Sequence, residues 1–148
     1  MDDTKPSIPY WHVHTDVDGM SRQARCEMRD FERKAMADGA APQWIGAKHH
    51  DGMSVVSVVL PVGWVGDWHE NPAPQWIIPL SGRWFVETMD GTRVEMGPGD
   101  ISFGEDQGCK AQDGRVGHLS GTVGDAPCVQ MVVQFDTARE TTPPCRFG

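Results

Sequence analysis

The stretch Gly63-Trp-Val-Gly-Asp-Trp-His-Glu-Asn-Pro-Ala-Pro-Gln-Trp-Ile-Ile-Pro-Leu-Ser-Gly82 decides the reading of this 148-residue chain. It sets His69, Asn71 and Gln75 between two glycines. His69 and Asn71 stand two positions apart, so on an extended strand they share a face. Gln75 follows Pro72-Ala73-Pro74, at the start of the next extended run, and it too can face inward. A strand and its neighbour thus aim three polar side chains at one point.

Strand and turn signals surround this stretch. Residues 54–60 form a nearly continuous apolar run between Gly52 and Pro61, which suits a strand buried on both faces. Residues 75–80 and 83–88 flank Ser81-Gly82, which reads as a two-residue hairpin turn. Asp90-Gly91 before residues 92–96 marks a second hairpin, and Gly97-Pro98-Gly99-Asp100 turns the chain into residues 101–103. Residues 128–135 are the last strand. Near the start, residues 10–14 form a short strand and Asp16-Val17-Asp18-Gly19 a turn. Met28, Phe31, Ala35 and Met36 fall on one helical face, predicting a helix over residues 27–38 that Gly39 ends. Many short strands with such turns, in a chain with 11 prolines and 17 glycines, point to an all-β sandwich or jelly roll. No linker divides the chain. The expectation is one domain over residues 1–148, with a core at about 55–135. An N-terminal arm and helical or irregular segment occupy 1–50, and a tail 136–148.

Gly63, His69, Asn71, Gln75 and Gly82 have the spacing of the first motif of the cupin superfamily. That motif reads Gly, five residues, His-any-His, three or four residues, Glu, six residues, Gly; here Asn71 replaces the second His and Gln75 the Glu. Gly91, Pro98, Gly99-Asp100 and His118 resemble the second motif, with His118 later than usual, so that residues 105–116 form an extra loop beside the pocket mouth. The resemblance covers about residues 55–135 and is closest to small single-domain cupins (RmlC-like jelly rolls), whose functions are largely unassigned. It implies a double-stranded β-helix barrel and commonly a dimer.

The Ser81-Gly82 turn pairs Leu80 with Arg83, Ile77 with Val86 and Gln75 with Thr88, and paired residues share a face. With Gln75 inward, Ile77, Pro79, Trp84, Val86 and Thr88 line the interior, which points Trp84 at the pocket. Trp76, Ile78, Leu80 and Phe85 then form an outer apolar patch too large to leave in water. Either the N-terminal segment or a second subunit covers it, and the expectation is a homodimer with Trp76 buried.

The net charge of -8 argues against nucleic acid as a partner. No apolar run is long enough to span a bilayer, so no membrane role is expected. Cys26, Cys109, Cys128 and Cys145 form no Cys-x-x-Cys pair and are read as reduced thiols in a cytoplasmic protein.

The catalytic candidates are His69 and His118; Asn71, Gln75 and Trp84 are the candidate contacts to a small-molecule ligand. The resemblance implies a divalent ion (iron, nickel, manganese or zinc) held by His69, Gln75 and His118. These ligands are all neutral, so such a site favours an anionic substrate. The leading expectation is a metal-dependent enzyme of dioxygenase, isomerase, lyase or decarboxylase type. Without metal, the same histidines serve as acid and base. The alternative is a non-catalytic small-molecule-binding cupin with a degenerate metal site. Asn71 also reads as the cap of a turn. His12 and His14 share a strand face and are expected to be solvated or at a dimer contact, while His49-His50-Asp51 stands in a polar turn.

Overall fold

A computed structural model describes residues 4–46, 52–136 and 144–147. Its elements are β1 (Ile8–Thr15), β2 (Ser21–Met28), β3 (Phe31–Ala35), β4 (Pro42–Gly46), β5 (Met53–Leu60), β6 (Gln75–Ser81), β7 (Arg83–Thr88), β8 (Arg93–Met96), β9 (Ser102–Glu105), β10 (His118–Val123) and β11 (Cys128–Phe135). Six strands form one sheet in the order β2-β1-β9-β6-β11-β5; three form another, β10-β7-β8; and β3 pairs with β4 as a separate hairpin. The chain is all-β, with the two-sheet arrangement of a jelly roll. Its two main sheets face each other without joining into a closed barrel.

Side-chain alternation builds two apolar layers. Val13, Leu60, Ile77, Cys128 and Val132 from the large sheet meet Trp84, Val86 and Met96 from the small one, and this cluster lies between the sheets. On the outer face of the large sheet Tyr10, Cys26, Phe103 and Phe135 form a second cluster, with Trp76, Cys145 and Phe147 against it. Single-sided alternation does not foretell such a layer on what would otherwise be a solvated face.

The Asp90-Gly91 hairpin stands, with Trp84 opposite Met96 and Glu87 opposite Arg93. Ser81-Gly82 is instead a corner. It sends β6 to pair with β9 and β11, and β7 with β8 and β10. Gly82 has φ +74°, and a Cβ there would lie 2.2 Å from the Pro127 carbonyl oxygen, so only glycine makes the corner. Alternation survives the corner: Ile77, Pro79, Trp84, Val86 and Thr88 are all buried on the inner side.

The expected outer patch is divided. Trp76 is covered by Tyr10, Phe103 and Phe147, with ring centroids 4.6 to 5.3 Å away, while Leu80 stays 54% exposed. Phe85 belongs to the other sheet, under the Arg93 guanidinium.

The helix expected over residues 27–38 is absent; the segment is the end of β2 and all of β3. Met28 is held in the ladder with β1, and Phe31 and Ala35 in the ladder with β4; these pairings override the helical spacing of the apolar residues. Residues two apart now share a face, which lets Glu27 pair with Arg29 and Glu32 with Lys34. The strand at residues 54–60 is present, but it is the sheet's last strand and mostly exposed, not buried on both faces. The thiol expectation also fails in part. Cys26 and Cys145 form a disulfide, whereas Cys109 and Cys128 are free. Among the described residues no helix is long and apolar enough to cross a membrane.

The disulfide joins residues 119 positions apart, a long loop whose closure restricts the unfolded chain. Cys26→Ser should therefore cost about 2–4 kcal/mol in urea denaturation under oxidising conditions. Equal midpoints for the variant and the oxidised wild type would contradict this.

Candidate functional site

The segment holding residues 63–71 crosses the edge of β10. Gly66 N donates to Ser120 O and Thr122 N to Trp64 O, and His69 and His118 exchange both backbone hydrogen bonds, at 3.1 and 2.9 Å. Directly opposed residues project to one side, and the two imidazole rings lie 4.7 Å apart. Gly117 allows this approach: a Cβ there would lie 2.2 Å from His69 O. Two histidines 49 positions apart in sequence are thereby brought together.

Each ring is anchored through Nδ1. His69 Nδ1 lies 2.7 Å from Asp67 O; a carbonyl only accepts, so this nitrogen carries the hydrogen. His118 Nδ1 lies 2.7 Å from Asp106 Oδ2. The carboxylate again accepts, and Nε2 of each neutral ring is left with its lone pair. Neither Nε2 has a hydrogen-bond partner among the described residues. His69 is exposed and His118 is 5% exposed.

Asp106 is the residue that sequence reasoning missed. Fully buried, it accepts through Oδ1 from both Asn71 N and Asn71 Nδ2, each at 2.8 Å. Burial pushes its carboxyl pKa up, but the His118 hydrogen bond and charge and the two Asn71 donors outweigh this and hold it below its ordinary 3.8. Nothing local in a polar, glycine-rich segment marks this one acid among its neighbours. Its placement depends on Gly104, where a Cβ would lie 2.4 Å from Asn71 Nδ2. That glycine on β9 leaves the space that the Asn71 amide fills.

A line of amides continues from Asn71. Its Oδ1 accepts from Gln75 Nε2 at 2.7 Å, and Gln75 Oε1 accepts from Gln134 Nε2 at 2.9 Å. Asn71 therefore does more than cap a turn; it bridges the buried acid and Gln75. The loop over residues 106–117 is tied down beside it, with Gln107 Nε2 donating to Asn71 O and Cys109 N to Glu70 Oε1, both at 2.9 Å.

Trp84 points inward but stands apart. It faces Thr122 across β7 and β10, four residues from the Thr88–His118 pair, or about 13 Å along the strand. It belongs to the core, 3% exposed, with no partner for its indole nitrogen among the described residues. His12 and His14 are buried on the opposite, outer side and are not solvated. His12 Nδ1 accepts from Cys145 N at 2.9 Å, and its Nε2 lies 3.2 Å from Glu105 Oε1. Burial, and then the neighbouring His12, push the pKa of His14 down. His49-His50-Asp51 lies outside the described residues.

A resident metal can be tested against these donors. Both amide atoms of Gln75 are engaged, and both oxygens of Asp106 are taken by Asn71 and His118. The set as paired offers two imidazole nitrogens, one fewer than the three protein ligands of a typical catalytic zinc. Among the described residues no group of three or more His, Cys, Asp or Glu side chains could hold an ion. The arrangement does not fit an ion held by His69, Gln75 and His118.

No family model and no curated protein matches the sequence. Among solved structures, the chain is similar to protein NMB1881 from Neisseria meningitidis, with 15% identity over 60% of this chain and 79% of that one and a TM-score of 0.42. It is also similar to the DMSP lyase DddQ from Ruegeria pomeroyi DSS-3, with 20% identity over 81% of this chain and 53% of that one and a TM-score of 0.45. Overlaps this partial carry no argument about activity. The functional reading rests on the site itself.

Because the Asp106 pKa lies below 3.8, its contribution to stability is whole above that value and drains away as pH falls through the lower one. Asp106→Asn should cost roughly 1.5–3 kcal/mol near neutral pH and flatten the acid limb of the stability curve. Urea denaturation across a pH series measures both, and parallel curves for variant and wild type would contradict the assignment.

Proposed function

We propose that this chain is a small cupin that binds a small molecule at the His69–His118 end of its sandwich and moves a proton on it, as an isomerase or lyase does. The observation carrying this reading is the buried Asp106–His118 pair, with the His118 Nε2 lone pair left unused beside a second anchored imidazole.

His118 is the base. Asp106 accepts its Nδ1 hydrogen, fixing the tautomer that presents Nε2, and stabilises the positive charge that arises when Nε2 takes a proton from the substrate. Asp106 keeps its own negative charge throughout, as its lowered pKa requires. His69, oriented by the Asp67 carbonyl and in contact with solvent, is the acid; in its protonated form it returns a proton to a substrate oxygen or leaving group. Asn71 and Gln75 are positioning residues: the Asn71 amide holds Asp106, and the Gln75 amide holds Asn71. Two imidazoles of opposite protonation state account for the reaction without a metal ligand set.

The test is a screen of small oxygen-bearing compounds for ligand-induced shifts of the His69 and His118 ring resonances. Binders are then assayed for exchange of substrate C–H protons with deuterated water. His118→Asn should lower exchange by roughly 10²–10⁴-fold while leaving binding within a few-fold. Activity should survive chelation. Activity that is lost on chelation and restored by a divalent ion would overturn the proposal in favour of a metal-dependent enzyme. Binding without exchange for any ligand would favour the non-catalytic alternative.

A further inference from the structure

A second set of buried ionisable side chains lies on the outer face of the large sheet, under residues 144–147. Glu105 on β9 and His12 on β1 are both buried. His12 Nδ1 accepts from Cys145 N, so its Nε2 carries the hydrogen and donates to Glu105 Oε1 at 3.2 Å. Arg146 Nη1 donates to Glu105 Oε2 at 2.5 Å, and Phe147 N to the Tyr10 hydroxyl at 3.1 Å. The Phe147 ring packs on Trp76 and Phe103, each with centroids 4.8 Å away. Residues 144–147 thus form a strap that belongs to no strand and is fixed covalently by the Cys26–Cys145 disulfide. Cys145 has φ +65°, a left-handed conformation that a residue other than glycine keeps only where its surroundings hold it. Glu105 and Asp106 are consecutive. The first is bound outward to the strap and the second inward to Asn71 and His118, so the end of β9 is pinned from both sides.

We propose that the Cys26–Cys145 disulfide is a redox latch that sets the placement of Asp106 and, through it, the state of His118. Its significance for catalysis rests on the acid–base reading of that pair. A dithiol opens the latch by thiol exchange. One reductant thiolate attacks Cys145 Sγ, since Cys145 is half-buried and Cys26 only 3% exposed. A mixed disulfide forms, the bond to Cys26 breaks, and the Cys26 thiolate takes a proton. The second reductant thiol then displaces Cys145, which is protonated in turn, and the reductant leaves as its own disulfide. Two electrons and two protons pass to the protein. Freed, Cys145 leaves the left-handed conformation, and the strap withdraws Arg146 from Glu105 and the Cys145 amide from His12. Glu105 is then a buried carboxylate without its cation, which is costly until the end of β9 turns toward water. Asp106 moves with it, and its bonds to Asn71 and His118 loosen.

Proton–nitrogen spectra of the oxidised protein, of the same protein with a small dithiol, and of the double variant Cys26→Ser, Cys145→Ser test the latch. Mass spectrometry after alkylation of the unfolded chain should count two free thiols before reduction and four after it. In the reduced protein and the double variant alike, the amide resonances of Gly104 to Gln107 and the ring nitrogens of His118 should move. Reoxidation should return them in the wild type only. Resonances of β8, in the other sheet, should stay in place, which a general loosening of the fold would not allow. Arg146→Gln keeps the disulfide and should move the Glu105 and Asp106 amides in the same direction, a measurement that does not need the double variant to fold. These resonances report the linkage whether or not a substrate is turned over, so the latch and the acid–base reading fail separately. A disulfide that the dithiol leaves intact in the folded protein would overturn the proposal. So would Asp106 and His118 resonances unmoved by reduction, Glu105 and Asp106 amides unmoved by Arg146→Gln, or shifts spread equally over β8.

Discussion

The Asp106 carboxylate, closed off from water and satisfied by three donors, is the interaction on which the rest of the site depends. A buried charge is costly unless it is paired and hydrogen-bonded. Here the backbone and side chain of Asn71 supply two of the bonds and His118 the third. The three residues come from different parts of the fold. Asn71 is held by the Gly63–Gly82 stretch, His118 opens β10, and Asp106 follows β9. Satisfying one carboxylate therefore fixes the relative placement of three segments and the tautomer of one imidazole. The same bonds explain why Asn71 and Gln75 stand where the cupin pattern has His and Glu. Amides offer donors and acceptors together and can carry a chain from Gln134 to Asp106; a His–Glu pair in those places would present a different set of partners to the buried acid.

Much of the fold was legible because turn chemistry and alternation are local. The Asp90-Gly91 hairpin, the strand at residues 128–135 and the inward set Ile77, Trp84, Val86 and Thr88 follow from neighbours in sequence. Partner choice is not local. Ser81-Gly82 has the composition of a hairpin turn, yet the Pro127 carbonyl and the competing pairings of β6 with β9 and β11 make it a corner. The same limit explains the lost helix, where β1 supplied a ladder to β2 and β4 supplied one to β3.

At the site, motif spacing located His69, Asn71, Gln75 and His118 as neighbours, but the spacing says nothing of which atoms stay free. Asp106 was invisible because its role needs the vacancy at Gly104, the amide of Asn71 and the ring of His118 all at once. The outer aromatic cluster was equally hidden. It exists because the Cys26–Cys145 disulfide and the contacts of His12 bring the chain's last described residues back across the large sheet. That layer lies on the opposite side of β1 and β9 from the candidate site. The inner face of the large sheet packs against the small sheet, and the outer face carries this aromatic layer.

Asp106 holds His118 in the Nδ1–H form with Nε2 free. Long-range proton–nitrogen correlation spectra of the imidazole rings read the tautomer directly. At a pH where the rings are neutral, His118 and His69 should both show a protonated Nδ1 and a bare Nε2. His12, whose Nδ1 accepts from the Cys145 backbone, should show the reverse. In Asp106→Asn, the His118 pattern should change while those of His69 and His12 stay as they are. A His118 ring protonated at Nε2 in the wild type, or one unaffected by loss of the carboxylate, would contradict the account.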